Sequence, residues 1–286
     1  MATPRSIRTV HTVAELREQV ARWRVAGETV ALVPTMGALH AGHVALMEAA
    51  KAHATRAIVS IFVNPTQFAP TEDLGRYPRT LEADLDKAEG AGVALAFVPD
   101  VAQMYPEGFA TTVSLSGRAL VLETDFRPTH FAGVATVVAK LLGQAAPDVA
   151  LFGEKDYQQL QVVTRMARDL DLPVRILGVP TVREADGLAL SSRNVYLSPE
   201  DRAAAPALHR ALSAAAAAIA DGADIGASVE TARRAVIAAG FALDYLEARH
   251  AATLAPVAAR SDGPIRLLVA ARIGATRLID NLAVPG

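Results

Sequence analysis

The sequence predicts an α/β protein, with a parallel sheet over its first part and a smaller α+β domain after about residue 182. Up to residue 179, short apolar runs alternate with helical patterns, which is typical of parallel strands covered by helices on both faces. After that point the chain becomes alanine-rich and helical before strand patterns return. Apolar residues make up 51% of the 286, so both regions have material for a core.

The first part alternates predicted strands with predicted helices. The strands, rich in β-branched residues and alanine, are 29–33, 57–63, 93–98, 149–152 and 174–179. The helices are 42–53, 81–89, 131–144 and 157–169. Because ligands of such sheets bind where the strands end, polar residues after these strands are the first candidates for a site.

The second part predicts a helix over 199–221, with Ser198 as its cap and Pro199 in its first turn. A further helix and three short strands follow, at 226–239, 244–246, 265–271 and 276–281. No internal repeat is present. We therefore expect one domain of residues 1–181 and a small C-terminal domain of residues 182–286.

Composition argues against several classes of function. The formal net charge is −2, so no basic excess favours nucleic-acid binding. There is no cysteine, which removes disulfides, thiolate metal sites and a cysteine nucleophile. The N-terminus lacks the apolar stretch of a signal peptide, and the most apolar low-complexity tract, 214–220, is far shorter than the roughly 20 residues that span a bilayer. We expect a cytoplasmic protein that binds neither nucleic acid nor membranes.

The motif PTMGALHAGH, at 34–43, lies between the first predicted strand and the helix that follows it. His40 and His43 are three residues apart and can share one face of a helical turn. Gly42 between them allows close approach of a ligand or of another backbone. The N–H groups and the positive dipole end at a helix N-terminus suit a phosphate, so the motif predicts a nucleotide site. A loop with a capping histidine is the structural alternative.

Two further polar motifs follow the ends of predicted strands. In VNPTQF, the Gln67 amide can donate and accept hydrogen bonds, which suits a ligand with hydroxyl and carboxylate groups; a turn around Asn64 is the alternative. In GEKDYQQ, at 153–159, Lys155 would reach a phosphate, and Asp156 a ribose hydroxyl or a cation. A solvated helix start, whose acidic residues complement the dipole, is the alternative.

The remaining polar motifs are weaker when taken alone. SSRN, at 191–194, offers hydroxyls and a guanidinium to phosphate oxygens, or is part of a polar interdomain loop. In RPTHF, Thr129 is either a helix cap or part of a site. A short acidic run would serve Mg²⁺ through water, although a solvated helix face is the favoured interpretation. Its members are Glu82, Asp84 and Asp86.

Taken in order, these motifs resemble those of one enzyme family. The chain has no G-x-x-x-x-G-K-[ST] loop and no strand-linked G-x-G-x-x-G, so the residues alone support a nucleotide-handling α/β enzyme of unspecified substrate. Over about 30–197, the segments PTMGALHAGH, SIFVNPTQF, RPTHFAGV, LFGEKDYQQL and TVREADGLALSSRN are similar to the pantothenate synthetases, the pantoate–β-alanine ligases. LLVAARIGATRLIDN near the end also fits this family.

This resemblance implies a Rossmann-like N-terminal domain with the H-x-G-H nucleotide site, a small C-terminal lid domain and a homodimer. It implies the Mg²⁺-dependent reaction of ATP, (R)-pantoate and β-alanine through a pantoyl adenylate, giving pantothenate, AMP and pyrophosphate. Leu190 departs from the methionine that is more frequent in the family, which is close to a volume-conserving change. The acidic run matches loosely, so the metal ligands stay unassigned.

The resemblance also implies residue roles. The ATP-binding residues would be Met36, Gly37, Ala38, Leu39, His40, Ala41, Gly42, His43, Gly153, Glu154, Lys155, Asp156, Val182, Leu190, Ser191, Ser192 and Arg193. The residues for pantoate and β-alanine would be Asn64, Gln67, His130 and Gln159. The catalytic residues would be His40, His43, Lys155 and Arg193, with His43 as the proton donor.

Two rival functions make different predictions. A nucleotidyltransferase would use H-x-G-H to keep the nucleotidyl group on its product, and would release pyrophosphate without an amine and without free AMP. A non-catalytic adenylate-binding protein would bind ATP and release no pyrophosphate. Product analysis therefore separates both from a ligase.

Overall fold

The computed structural model describes residues 7–69, 72, 74–116 and 121–286. The described parts of the chain divide into two compact units, each made of three stretches. Unit 1 comprises Met1–Leu115, Arg127–Glu154 and Val162–Pro180. Unit 2 comprises Ser116–Phe126, Lys155–Gln161 and Thr181–Gly286. The domain division at residue 182 remains a prediction.

Unit 1 is built on a parallel sheet. Within the described residues the sheet has six strands, in the order β1-β4-β3-β2-β5-β6. The strands are β1 (Arg8–Val10), β2 (Val30–Thr35), β3 (Arg56–Ile61), β4 (Leu95–Phe97), β5 (Val149–Gly153) and β6 (Arg175–Val179). Val30 to Val33 are fully buried, as a strand covered on both faces requires. The predicted α/β class is confirmed.

Helices connect and cover these strands. In chain order they are α1 (Val13–Val25), α2 (Ala41–His53), α3 (Leu81–Gly90), α4 (Val101–Met104), α5 (Glu123–Phe126), α6 (His130–Ala145) and α7 (Tyr157–Asp169). On one face of the sheet, Met47 of α2 and Leu85 of α3 share a core with Val33 of β2. Leu32 and Ile58 are also fully buried, and the alternation of side chains along a strand places them on the opposite face.

β1 and α1 are elements that the sequence prediction omitted. α1 begins with a capping box, in which the Thr12 hydroxyl accepts from the Glu15 N–H at 3.2 Å and Glu15 accepts from the Thr12 N–H at 3.0 Å. Leu16, Val20 and Trp23 form its buried stripe. The Thr-x-x-Glu pattern before this apolar spacing is the sequence signal that indicates the helix.

Unit 2 combines helices with an antiparallel sheet, which confirms the predicted α+β organisation. In the described part of the chain this sheet has three strands, in the order β7-β8-β9. The remaining elements are α8 (Pro199–Ala204), α9 (Ala207–Ala220), α10 (Ile225–Ala238), β7 (Ala242–His250), β8 (Ile265–Ile273) and β9 (Thr276–Ala283). Apolar residues of α9 and α10, including Leu212 and Val236, share one core with Leu267 of the sheet.

The single helix predicted over 199–221 is wrong, because the structure has two helices there. Pro206, between α8 and α9, has no N–H to donate, and its ring crowds the carbonyl of the preceding turn. The predicted cap is confirmed, since the Ser198 hydroxyl accepts from the Asp201 N–H at 3.1 Å. By length and composition alone, Pro199–Ala220 is long and apolar enough to cross a bilayer. However, half of its most apolar 18-residue stretch is buried, and α9 packs into the core of unit 2. We therefore assign it as a core segment.

A buried ion cluster joins α5 to the antiparallel sheet within unit 2. The Arg277 guanidinium donates to both Glu123 oxygens, at 2.7 and 2.9 Å, and to Asp244 at 2.6 Å. Burial disfavours the charge on Arg277, but its hydrogen bonds to Glu123 and Asp244 outweigh burial and raise its pKa above the usual range. Burial and the Glu123 charge also raise the pKa of Tyr245, which donates to Glu123 at 3.3 Å. β7 is longer than the short strand predicted at 244–246, and the charged residues of its extension, Glu247 and Arg249, pair with each other.

Candidate active site

The H-x-G-H motif lies in unit 1, where the chain leaves the carboxyl end of β2 and enters α2. Gly37 and Ala38 have left-handed φ angles of 84° and 50°, a conformation that glycine adopts readily and alanine rarely. The Thr35 hydroxyl accepts from the Gly37 N–H at 3.3 Å and donates to a carbonyl of β3 at 2.7 Å. The Ala38 and Leu39 N–H groups donate to the Asp84 carboxylate, at 2.9 and 2.7 Å.

The two histidines form a reciprocal cap at the start of α2. His40 Nδ1 accepts from the Gly42 N–H at 3.1 Å, and His43 Nδ1 accepts from the His40 N–H at 3.2 Å. The ring centroids are 4.1 Å apart. A neutral imidazole carries one proton, so a ring that accepts at Nδ1 has its proton on Nε2. The cap therefore holds both rings as Nε2–H donors.

Six backbone N–H groups of this motif, those of residues 37–40, 42 and 43, have protein partners, which differs from the expectation that they face a phosphate. The His43 N–H donates to the His40 carbonyl at 2.8 Å, and the N–H groups of residues 37–40 and of Gly42 are bonded as described above. Gly42 also serves a local purpose, because a Cβ there would lie 2.9 Å from His40 Cε1. Recognition of a phosphate at this motif would rest mainly on the imidazole side chains.

A second polar cluster in unit 1 centres on Asn64, which is 1% exposed. Asn64 Oδ1 accepts from the Tyr105 hydroxyl at 2.7 Å and from the Thr66 hydroxyl at 2.9 Å. Asn64 Nδ2 donates to Gln67 Oε1 at 3.0 Å and to the Gly133 carbonyl at 3.2 Å. Donors on one side and acceptors on the other fix the orientation of the Asn64 amide.

Gln67 is oriented by this network. Its Oε1 is engaged by Asn64, which leaves Nε2 as the donor end; Nε2 contacts Met36 Sδ at 3.1 Å. Asn64 thus fixes which end of the Gln67 amide donates, while Oε1 keeps a second lone pair, so the predicted donor-and-acceptor role stays a prediction. His130 Nδ1 lies 2.9 Å from the backbone carbonyl oxygen of Gln67. Since a carbonyl only accepts, Nδ1 of His130 carries a proton.

The RPTHF motif positions the same 3₁₀ turn, Pro65–Gln67. Thr129 is the N-cap residue of α6, as one of the two interpretations expected, but its side chain makes no capping hydrogen bond. Arg127 binds both Glu72 oxygens, at 2.6 and 2.8 Å. Burial alone would raise the pKa of Glu72, but Arg127 holds that pKa below its usual range. Gly133 of α6 leaves room for the turn, because a Cβ there would lie 2.5 Å from the Thr66 carbonyl oxygen.

The GEKD motif spans the end of β5 and a 3₁₀ turn, Glu154–Asp156. Gly153 belongs to unit 1, and Lys155 to Gln159 belong to unit 2. Within unit 2, Lys155 Nζ lies 3.5 Å from Asp156 Oδ1, and the Lys155 carbonyl accepts from a β9 side-chain amide at 2.9 Å. Lys155 and Gln159 are partly exposed, as contact with a ligand requires.

The SSRN motif, also in unit 2, is organised by local bonds. The Leu190 N–H donates to the Val182 carbonyl at 3.0 Å, which closes a short hairpin. The Ser191 hydroxyl accepts from the Arg193 N–H at 3.3 Å, and Asn194 Nδ2 donates to the Ala189 carbonyl at 3.1 Å. Ser192 and Arg193 are partly exposed. The ligand roles predicted for this motif stay predictions.

The acidic run behaves differently from the solvated face that was expected. Asp84 is 1% exposed and bonds the H-x-G-H loop, whereas Glu82 and Asp86 are exposed. The sequence signal was available, because Asp84 falls on the same helical stripe as Leu85 and Ala88. Tyr105 was also overlooked, and no local motif marks it. Over the described residues, no group of three or more His, Cys, Asp or Glu side chains would hold a metal ion.

Unit 1 therefore has the features of a nucleotide-handling α/β enzyme: a parallel sheet, a left-handed loop at the end of β2, and paired imidazole donors. A family model described as Pantoate-beta-alanine ligase matches residues 8–283. The chain belongs to this family, which confirms the resemblance and the ligase class predicted from the motifs.

Known proteins match nearly the whole chain in sequence and in structure. The pantothenate synthetase of Rhodopseudomonas palustris (strain BisA53) is 59% identical over 281 residues, covering 98% of this chain and 99% of the relative. That of Nitrobacter winogradskyi is 60% identical over 276 residues, covering 96% and 98%. The crystal structure of pantothenate synthetase from Thermus thermophilus matches with a TM-score of 0.93 at 51% identity, covering 97% of this chain and 99% of that one. Pantoate-beta-alanine ligase from Francisella tularensis, complexed with beta-gamma ATP and beta-alanine, matches with a TM-score of 0.82 at 31% identity, covering 97% of each.

Proposed function

We propose that the protein joins (R)-pantoate to β-alanine at the expense of ATP, through a pantoyl adenylate, and releases pantothenate, AMP and pyrophosphate. Membership of the pantoate-beta-alanine ligase family supports the overall reaction. The observation that carries the chemistry is the reciprocal cap, which holds two neutral imidazoles as Nε2–H donors at the carboxyl end of a parallel strand. Such donors favour the negative charge that develops on phosphate oxygens in the transition state.

The first half-reaction forms the adenylate. The pantoate carboxylate attacks the α-phosphorus of ATP, a new P–O bond forms, and the bond to the β-phosphate breaks to release pyrophosphate. His40 and His43 are proposed to donate hydrogen bonds to the triphosphate, and Lys155 and Arg193 to offset its charge. Proton donation by His43, inferred from the family resemblance, would come from Nε2, since Nδ1 is the cap acceptor. Removal of one such donor costs roughly 10²–10³ in kcat, which is the loss expected for His43→Ala or Lys155→Ala in adenylate formation.

The second half-reaction is acyl transfer. The neutral amine of β-alanine attacks the carbonyl carbon of the adenylate, AMP leaves, and the nitrogen loses a proton as the amide forms. Gln67 and Gln159 are proposed to hold pantoate, with Asn64 and His130 as the supporting substrate residues. The donor end of Gln67 suits a carboxylate or carbonyl oxygen. No covalent intermediate on the enzyme is needed, which is compatible with a chain that has no cysteine.

The remaining ATP contacts are proposed from the motifs: Met36 to His43, Gly153 to Asp156, Val182, and Leu190 to Arg193. Mg²⁺ is proposed to enter with the ATP substrate, since Mg²⁺ is usually bound through substrate phosphates and water. The carboxylates of the described residues do not supply a metal cluster, so no step is assigned to a protein-held ion. We also propose a cytoplasmic homodimer that acts only on small molecules; light scattering coupled to gel filtration measures the oligomeric state.

The deciding experiment measures AMP and pyrophosphate from ATP and Mg²⁺ with pantoate, with and without β-alanine. We expect AMP to require both substrates, while exchange of labelled pyrophosphate into ATP requires pantoate alone. Pyrophosphate without AMP would support the nucleotidyltransferase. ATP binding with neither product would support the binding protein. Exchange that needs β-alanine would remove the free adenylate from the proposal.

A further inference from the structure

A buried carboxylate lies beneath the H-x-G-H loop. Asp84 of α3 is 1% exposed, and it meets the loop from an element more than forty residues further along the chain. Its Oδ2 accepts from the Ala38 N–H at 2.9 Å, and its Oδ1 accepts from the Leu39 N–H at 2.7 Å and from the Thr80 hydroxyl at 3.2 Å. Three donors therefore converge on one carboxylate.

The loop backbone is shaped to hold an anion. Gly37 and Ala38 have φ angles of 84° and 50°, and successive N–H groups around left-handed residues form a concave anion-binding nest. In phosphate-binding loops the anion is the ligand. Here the N–H groups of Ala38 and Leu39 are taken by Asp84, an anion of the protein itself.

We propose that Asp84 is a positioning residue, which keeps the loop in its ATP-binding conformation and thereby sets the orientation of His40. This inference rests on the proposed function, because it takes the H-x-G-H loop as the ATP site. Leu39, bonded to Asp84, directly precedes His40, whose N–H and Nδ1 form the cap. The two backbone bonds to the carboxylate offset the strain of the left-handed Ala38, and that support is lost without it.

The role requires a carboxylate rather than any polar group. An asparagine at 84 offers one oxygen for two backbone N–H groups, and its NH₂ would face one of those donors. Leaving a buried N–H without an acceptor is costly, so the loop would move away. Asp84→Asn therefore disturbs the loop while changing few atoms. Asp86→Asn is the matched control, because Asp86 lies on the same helix and is exposed.

The test compares Asp84→Asn and Asp86→Asn with wild type for ATP affinity by calorimetry, the KM values of ATP and β-alanine, kcat and thermal unfolding. We expect Asp84→Asn to weaken ATP binding about tenfold and to lower kcat by up to about 10², as displaced catalytic groups do. We expect the KM of β-alanine to stay within about twofold, and Asp86→Asn to match wild type. A variant that merely loses folded enzyme would lower kcat and leave the KM of ATP unchanged.

A folded Asp84→Asn with wild-type ATP affinity and KM overturns the proposal. If Asp84→Asn does not fold, Thr80→Val, which removes only the third hydrogen bond, decides the question. A several-fold loss of ATP affinity with an unchanged KM for β-alanine then supports the proposal, and wild-type ATP affinity overturns it. The product assay on the wild-type enzyme does not depend on how the variants bind ATP. Failure of the ligase function would therefore be seen separately from failure of the positioning role.

Discussion

The polar motifs of unit 1 and the SSRN motif of unit 2 are held in place in different ways. In unit 1, Leu39 bonds Asp84 across 45 positions, and Asn64 bonds Gly133 across 69. In unit 2, the SSRN motif is ordered by bonds that span two positions, from Arg193 to Ser191, and five positions, from Asn194 to Ala189. Both motifs carry predicted ligand residues, but the unit 1 bonds named here need distant elements to pack, whereas these two bonds of SSRN need only the local turn.

This difference has a physical consequence. Hydrogen bonds between residues close in sequence form as soon as the chain makes a local turn, so their geometry is determined by neighbouring residues. Bonds between distant elements exist only after those elements pack, and they then hold a side chain against several rigid supports. We expect the unit 1 site to be sensitive to substitutions far from its motifs, and the SSRN motif to be sensitive mainly to its own residues.

The largest effect is expected from Gly133→Ala. The new Cβ would lie 2.5 Å from the Thr66 carbonyl oxygen and 2.7 Å from the Gln67 backbone nitrogen, neither of which can rotate away. Overpacking of this kind costs about 1–3 kcal/mol, and it displaces the turn that carries Gln67. Denaturant unfolding should show this loss, and the KM of pantoate should rise at least about tenfold, the factor that about 1.4 kcal/mol produces.

Gly143→Ala is the matched control on the same helix, since a Cβ there meets nothing within 4 Å. It should stabilise α6 slightly, by up to about 1 kcal/mol, through the better helix propensity of alanine. Equal stability for the two variants would show that the close approach of α6 to the turn is not what holds Gln67.

Gly42→Ala should have the next largest effect, chiefly on turnover. Its Cβ would lie 2.9 Å from Cε1 and 3.0 Å from Nδ1 of His40, so the ring must turn and the cap is lost. Loss of a cap costs about 1 kcal/mol, and kcat should fall about tenfold or more because the Nε2–H donor of the His40 ring moves. Gly153→Ala is the comparison, because no atom lies within 4 Å of its Cβ; it should unfold like wild type. A wild-type kcat for Gly42→Ala would contradict the role of the cap.

A smaller pair of effects comes from removing one hydroxyl in each region. Tyr105→Phe deletes one of the two hydroxyl donors to Asn64, which loosens Asn64 and Gln67, and the KM of pantoate should rise about three- to tenfold. Ser191→Ala deletes a local bond and should raise the KM of ATP only a few-fold. Substrate titrations of both variants test the comparison. If Tyr105→Phe raised the KM of ATP and left the KM of pantoate unchanged, the hydrogen-bond network around Asn64 would serve ATP binding, and the proposed link to pantoate would be wrong.

The smallest effect concerns acid stability. Burial would raise the pKa of Glu72, but Arg127 lowers it below the usual 4.5. A carboxyl whose folded pKa is lowered adds stability above its unfolded pKa, and that stability is lost as the pH falls through the folded pKa. Wild type should therefore exceed Glu72→Gln by about 1 kcal/mol near pH 7, with the gap closing below about pH 4.

Asp186 in unit 2 supplies the contrast for this measurement. Its hydrogen bond from Arg202 lowers its pKa, but both side chains are more than one third exposed. Salt screens such a pair strongly, so Asp186→Asn should match wild type at high ionic strength while Glu72→Gln should not. Unfolding curves at two pH values and two salt concentrations give the answer.

The sequence predicted the local features well and the distant ones poorly. Five of the six described strands of the parallel sheet, α7 over 157–169 and the Ser198 cap follow from apolar spacing and capping chemistry. The same local rules, applied to Thr12 and Pro206, would have found α1 and the break between α8 and α9. By contrast, the hydrogen bond from Tyr105 to Asn64 spans 41 positions, and no spacing rule reaches that far. The left-handed conformation of Ala38 was not predicted either, because the carboxylate that accepts from its N–H, Asp84, is 46 positions away.

The buried ion cluster of unit 2 indicates which stretches of the chain a separate fragment with the antiparallel sheet must contain. A fragment that begins at residue 182 would contain Arg277 and Asp244 but would lack Glu123, which supplies two of the three short bonds to that guanidinium. It would also lack Tyr157, whose hydroxyl donates to the Ala251 carbonyl at 3.0 Å and whose ring lies 4.1 Å beneath the Arg266 guanidinium. Expression of the antiparallel sheet in isolation therefore calls for grafting the 121–126 and 155–161 stretches back onto it, rather than for a single cut.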